Sequence, residues 1–455
     1  MTKKVFALDT KPGIQRDGTV FDKEFYNDGR WVRFQRGRPR KMGGFREIVN
    51  DLAGPSRGIY LNPQQTFNNV FSGYSGGLQL LPINNSGVGS GITDMTLSNF
   101  TANADNLWQF DTFYDVSGSG NNLLLAHPGR NLSVIDNNVN TPVLGGNITG
   151  TSLAALGVFT SSVFLNATTT MYLSTQNLLI GAGQTITGTG IPSSTTVVSA
   201  NLRVPVLNAV AVTGTAGQCS CTSTTGLYIG QTVAVSGTLT GTATGITSGV
   251  TYFIIATNYA TTFTLSASSG GSAIVTTAGT TTGLVFTMGQ IQDVVISNAA
   301  TTSGASTITF NNNISVSGGV VTLHPYVFVY GNDGLIRNSG AGNVQDWVSA
   351  DANEVSVATG KIVQGLPVRG GSNAPSGLFW SLDSLIRVSY IGGAGSPPQY
   401  WRYDLISSQS SILSSQSVIE YDGIYYWCGV DRFLLYNGVV KEIPNTFNQN
   451  YFLTT

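Results

Sequence analysis

The sequence predicts an all-β protein, and three observations carry the prediction. Charged residues make up only 10% of the 455 positions, while Gly contributes 56 and Thr, Ser and Asn are frequent. No long stretch spaces its apolar residues at helical period, whereas short runs of Val, Ile, Phe and Tyr recur along the chain. Those runs come in look-alike pairs, each an apolar run, a turn rich in Gly, Asn or Asp, and a second apolar run.

The clearest case is Ser417–Pro444, SVIEYDGIYYWCGVDRFLLYNGVVKEIP. It parses into strands at Ser417–Tyr421, Ile424–Cys428, Phe433–Tyr436 and Val439–Ile443. Asp422-Gly423 and Asn437-Gly438 are two-residue turns that tolerate positive φ at both positions, and Gly429–Arg432 makes the third connection. Pro444 stops the last strand because it has no N–H to give a ladder. Ile424, Tyr426 and Cys428 point to one face and Tyr425 and Trp427 to the other. Both faces are apolar or aromatic, so the sheet expects neighbours above and below, as a β-propeller blade does.

Similar pairs occur at Phe67–Pro82, Asn121–Asp136, His324–Ser339, Gly377–Ile391 and Asp422–Asn437. Their starts lie about 50 residues apart, a propeller-range period, except for a gap of 203 between Asn121 and His324. Removing Gly150–Val316 reduces that gap to 36. The expected architecture is therefore a β-propeller interrupted by one insertion: residues 1–149 and 317–455 form the propeller and 150–316 the inserted part.

The insertion is rich in Thr, Ser and Gly. From Asn147 to Ser317 the charged side chains are Arg203 and Asp293 alone. Low-complexity disorder competes as a reading. The regular placement of Val, Ile, Phe and Tyr, as in Thr251–Ala256 and Thr262–Ser266, favours folded immunoglobulin-like β-sandwich modules. A weak internal duplication relates Leu179–Ile191 (LIGAGQTITGTGI) to Tyr228–Gly237 (YIGQTVAVSG).

A net charge of −1 hides an asymmetry, because 12 of the 22 basic residues lie in the first 50 positions. Between Arg30 and Arg46 stand seven Lys or Arg side chains with no acid among them, interleaved with Trp31, Phe34 and Phe45. Cations with aromatics suit nucleic acid. The preferred reading is a strand, a Gly37–Pro39 turn and a second strand, whose Arg33, Arg36, Arg38, Arg40 and Lys41 sit on a rim or contact a neighbouring subunit.

Chemistry is sparse. His127 and His324 each precede Pro at a strand boundary and have no Cys, Glu or Ser pattern nearby. Cys219 and Cys221 form one close thiol pair where a structural zinc needs four ligands, and three cysteines give no disulfide framework. Asp351 with Glu354, and Glu420 with Asp422, are carboxylate pairs by spacing only, against the ~5–9.5 Å geometry of a glycosidase. No phosphate-cradling loop is present. No catalytic, cofactor or metal site is expected, and the chain is read as a non-enzyme. The N-terminal MTKKVFALDTKPG is too short in apolar residues for a signal segment, and no run reaches membrane-spanning length.

Outside the insertion the chain resembles the tail nozzle (tail hub, or packaged-DNA stabilisation) protein of short-tailed bacteriophages, the podoviruses. WVRFQRGRPRKMGGFREI, GGVVTLHPYVFVYGNDGLIRNS and SVIEYDGIYYWCGVDRFLLYNGVVKEIPN carry the resemblance, in that order. It implies a structural virion protein of the tail, assembled in the host cytoplasm, that forms a homohexameric ring. The ring would sit on the tail adaptor, offer its outer side to a tailspike or tail fibre, and gate and conduct genome DNA through its lumen during ejection. Members of the family continue past the region matching 443–452 with further strands, a departure that leaves the blade count open. The other functional class is a receptor- or glycan-binding tail propeller whose insertion is the adhesive part.

Overall fold

The computed structural model describes residues 11–16, 24–44, 47–49, 51–63, 67–89, 91–96, 100, 102–129, 143–145, 153–369 and 374–444. Among these no α-helix occurs; the chain is strands, turns and two short 3-10 turns at Asn332–Gly334 and Ser415–Ser417. It divides into two compact units. One comprises Met1–Ala155, Ser315–Asn338 and Asn353–Thr455, and the other Leu156–Ile314 with Ser339–Ala352.

The first unit holds five four-stranded sheets, each an antiparallel meander in chain order, and a two-stranded ribbon near the N-terminus. The sheets open at Gly58–Pro63, Gln109–Tyr114, Gly319–Leu323, Ile362–Pro367 and Val418–Tyr421. The opening strands of the first four sheets lie side by side in that order. Apolar side chains fill the space between successive sheets. Phe71, Leu78 and Leu80 of the first meet Trp108, Leu124 and Ala126 of the second. Val321, Tyr326 and Phe328 of the third meet Phe379, Val388 and Trp401 of the fourth. Leu378, Trp380 and Leu385 of the fourth meet Tyr425, Trp427 and Leu434 of the fifth. Glycine is required where backbone and indole touch: a Cβ at Gly73 would lie 2.1 Å from the Trp108 ring.

Polar bonds stitch the same neighbours. Gln109 donates its amide to Gly318 O at 3.1 Å and Val363 O at 3.0 Å, and accepts from the Tyr330 hydroxyl at 2.6 Å. Tyr330 in turn accepts the Gly365 N–H at 2.9 Å, so one buried amide joins three sheets. Asp111 accepts the Thr322 N–H at 2.7 Å, from the second sheet to the third, and burial raises its carboxyl above the usual range. His127 accepts the Gly129 N–H on Nδ1 at 2.8 Å, which leaves Nε2–H to donate to Val316 O at 3.0 Å.

The fifth sheet is formed by Val418–Tyr421, Ile424–Cys428, Phe433–Tyr436 and Val440–Glu442, with Tyr425 and Trp427 on its buried face. Asp422 and Gly423 both take positive φ, 53° and 74°. At the second tight turn only Gly438 does, at 108°, so Asn437 departs from the expected geometry. In the second sheet Asn122–His127 is followed by Val143–Gly145, and the expected second run of the Asn121–Asp136 pair lies outside the described residues.

The second unit corrects the immunoglobulin-like expectation. In place of sandwiches it contains a closed six-stranded barrel and an eight-stranded curled sheet. Closure follows from one long strand. Ser303–Asn311 pairs along all nine residues of Val158–Asn166 on one side, and Thr309–Asn311 pairs with Thr185–Thr187 on the other. No edge remains, and Val163, Leu165, Ile186, Val197, Val294 and Phe310 fill the interior.

The curled sheet is a second copy of that plan, nested in the barrel. The chain leaves the barrel at Arg203 and re-enters at Ile291, residues paired across one hairpin. Gly183-Gln184 and Gly230-Gln231 repeat one local structure, with both glycines at positive φ (87° and 93°) and both glutamines buried. Gln184 accepts the Gly181 N–H and donates to Leu179 O; Gln231 accepts the Tyr228 N–H and donates to Gly226 O, at the same offsets. Each glutamine also anchors the backbone of a neighbouring buried strand: Val197 N–H donates to Gln184 O, and Ile254 N–H to Gln231 O. The counterpart of the closing strand is broken at Thr281–Gly283 into Gly279–Thr280 and Leu284–Met288. Gly283 has φ +86°, and a Cβ there would lie 2.1 Å from Thr238 O. That break leaves the copy curled and unclosed.

The two charged residues of this unit's long segment meet at the neck. Arg203 donates to both oxygens of Asp293, through Nε to Oδ2 and through Nη2 to Oδ1 at 3.2 Å. Beside them Phe164 stacks on Tyr172 and on Tyr228, and the Tyr172 hydroxyl donates to Leu227 O at 2.7 Å. Ion pair and aromatics fasten the nested copy to the barrel.

Candidate functional site

The five basic side chains singled out from the sequence lie together on the ribbon Val32–Gln35 and Arg38–Lys41. Arg36 and Gly37 both have positive φ, 51° and 75°, the geometry of a two-residue hairpin turn. The register pairs Val32 with Lys41, Arg33 with Arg40, Phe34 with Pro39 and Gln35 with Arg38. Directly opposed residues share a face. Arg33, Arg38 and Arg40 therefore stand on one face with Gln35, while Lys41 shares the other with Val32, Phe34 and Pro39. Phe45, the third interleaved aromatic, lies outside the described residues.

The ribbon is exposed and electrostatically unbalanced. Arg33, Arg36, Arg38, Arg40 and Lys41 are all exposed, and among the described residues none of them pairs with a carboxylate. Opposing Arg33 to Arg40 is unfavourable by the like-charge rule for sheets, and a two-stranded hairpin is marginal alone. What holds the ribbon is the Phe34 ring against Tyr26 at 5.6 Å and the Met42 N–H on Trp31 O at 2.8 Å. Trp31 is 65% exposed, so its indole offers apolar area beside the cations. The arrangement fits an acidic protein surface, because guanidiniums bond carboxylates in bidentate fashion. It also fits a phosphate backbone.

The other residues considered for chemistry are spread apart. Buried His127 is engaged at both ring nitrogens, and His324 lies 6.2 Å from the Phe113 ring, centroid to centroid. Burial pushes the Cys219 thiol up to about 12 and also raises Cys221 and Cys428, so all three resist forming the reactive thiolate. Glu420 accepts the Gly423 N–H at the Asp422 turn and faces Arg369 at 3.5 Å. Asp351 accepts from Ser349 and Ala341, and Glu354 faces Arg337. Among the described residues no group of three His, Cys, Asp or Glu side chains converges as a metal site, and no helix is long and apolar enough to cross a membrane.

Sequence reasoning missed the stitching residues Gln109, Asp111 and Tyr330. They are far apart in sequence and each sits in an ordinary strand. Only the β-period signal was available there, and it does not distinguish a polar core residue from a solvent-facing one. No family model and no curated protein sequence matches the chain.

Proposed function

We propose that the chain is a structural virion protein, the tail nozzle of a short-tailed phage, whose five four-stranded sheets are the blades of one β-propeller. Six copies, by resemblance, form a ring below the tail adaptor that gates and conducts genome DNA, with its outer side open to a tailspike or fibre. The observation that carries this reading is the row of four-stranded meanders with adjoining first strands and shared aromatic layers. Two of the three motifs behind the resemblance coincide with such meanders, and the third with the arginine ribbon. Blades apolar on both faces make a rigid wall, and a closed ring lets identical subunits form a pore with no leftover interface.

Within that reading the ribbon is a subunit or adaptor contact. A strongly cationic lumen would retain phosphates where a nozzle must let DNA slide, so Arg33, Arg36, Arg38, Arg40 and Lys41 meet acidic protein. The work done is mechanical, with no substrate turned over. Electron microscopy of the purified chain, alone and with particles, tests the proposal. Six-fold rings at the tail with the ribbon at an interface support it. A chain found in the shell, on a trimeric spike or as a persistent monomer overturns it. Replacing the four arginines by Gln should abolish ring formation while leaving the monomer's unfolding midpoint unchanged.

A further inference from the structure

All five four-stranded sheets contribute to one cavity of about 320 Å³. Its wall is built from the residues just before each opening strand: Arg57, Leu107, Gly318, Lys361 and Ser415. Gln109 ties Gly318 and the neighbouring wall residue Val363 together, so the wall is fixed by buried hydrogen bonds. The volume lies at the lower end of the ~300–1,000 Å³ typical of small-molecule sites.

The lining has three chemistries. Arg57 and Lys361 supply two cations and Asp105 one anion, which leaves a formal charge of +1. Ser414 and the Asp105 carboxylate can bond hydroxyl groups. Leu382 and Leu413, 53% and 55% exposed, flank the cavity with apolar surface that nothing in this unit covers. We propose that this cavity is a binding site for a carboxylated sugar residue, its carboxylate on Arg57 and Lys361, its hydroxyls on Asp105 and Ser414, and its C–H face on the leucines. A monoanion matches the site's charge. A phosphate dianion would exceed it. Burial lowers the Lys361 ammonium to about 8, and an anion beside it would restore the proton.

Methyl resonances of the intact chain, labelled at Leu and Ile, provide the test, with glucuronate, methyl glucuronide, glucose and inorganic phosphate as probes. Glucuronate should shift Leu382, Ile412 and Leu413 and saturate at millimolar concentration, with glucose at least about tenfold weaker. Arg57→Gln, at an exposed position, should weaken glucuronate about tenfold, as should Lys361→Gln. Affinity should also fall above pH 8 as Lys361 loses its proton. Equal binding of methyl glucuronide assigns a chain-terminal sugar, and its rejection a free sugar acid; either supports the site. No shift with glucuronate, equal affinity for glucose, tighter binding of phosphate, or an Arg57→Gln variant that binds unchanged overturns the assignment.

Discussion

At the residue scale, stability in the five-sheet unit is concentrated in a few buried polar groups. Gln109 satisfies two carbonyls and the Tyr330 hydroxyl. Gln109→Leu keeps the volume and strands all three partners, so it should cost about 2–4 kcal/mol, read as a lower urea midpoint at constant slope. Lys361 gives the pH signature of a lysine whose charge is disfavoured by burial. Its folded value near 8 lies below the ordinary 10.5, so between those values the unfolded chain binds the extra proton. Stability should therefore rise with pH from about 8 to 10.5 through this group, and Lys361→Met should remove that rise in pH-dependent denaturation.

At the element scale, one strand decides whether each copy in the second unit closes. Ser303–Asn311 is unbroken and completes a barrel, while its counterpart is interrupted at Thr281–Gly283. The nested copy hangs from a single hairpin at Arg203 and Ile291. Replacing residues 204–290 by Asn-Gly supplies the two-residue turn that this register needs. The variant should keep the barrel, with a cooperative all-β transition and a loss of no more than about 2 kcal/mol, because Tyr172 then bonds to water. In the full chain Arg203→Met should cost only about 1 kcal/mol, since the guanidinium is partly exposed. A double-mutant cycle with Asp293→Asn measures the pair itself.

At the scale of the molecule, the second unit includes Ser339–Ala352, which leaves and rejoins the third four-stranded sheet between Asn338 and Asn353. Its Val348 packs against Gly181, where a Cβ would lie 2.8 Å away. Replacing Leu156–Ile314 with a Gly/Ser linker should leave the five sheets folded but strip this loop of its packing. Limited proteolysis of that variant should cut first within 339–352, and cleavage first within the sheets would show that the units depend on each other.

Strand identity and turns were legible in the sequence because both are local. Alternation set Ile424–Cys428 and Phe433–Tyr436 to the residue, and Asp422-Gly423 announced its turn by needing positive φ. The likeness of the two glutamine segments was readable for the same reason, as was the charge of the arginine stretch. Closure of a sheet was not, because alternating strands bury one face equally well in a sandwich and in a barrel. Whether Ser303–Asn311 finds a second partner depends on pairings more than 100 residues away. The cavity shared by five sheets was equally hidden: Arg57 and Lys361 each precede a strand unremarkably, and only the arrangement of the sheets brings their charges to one wall.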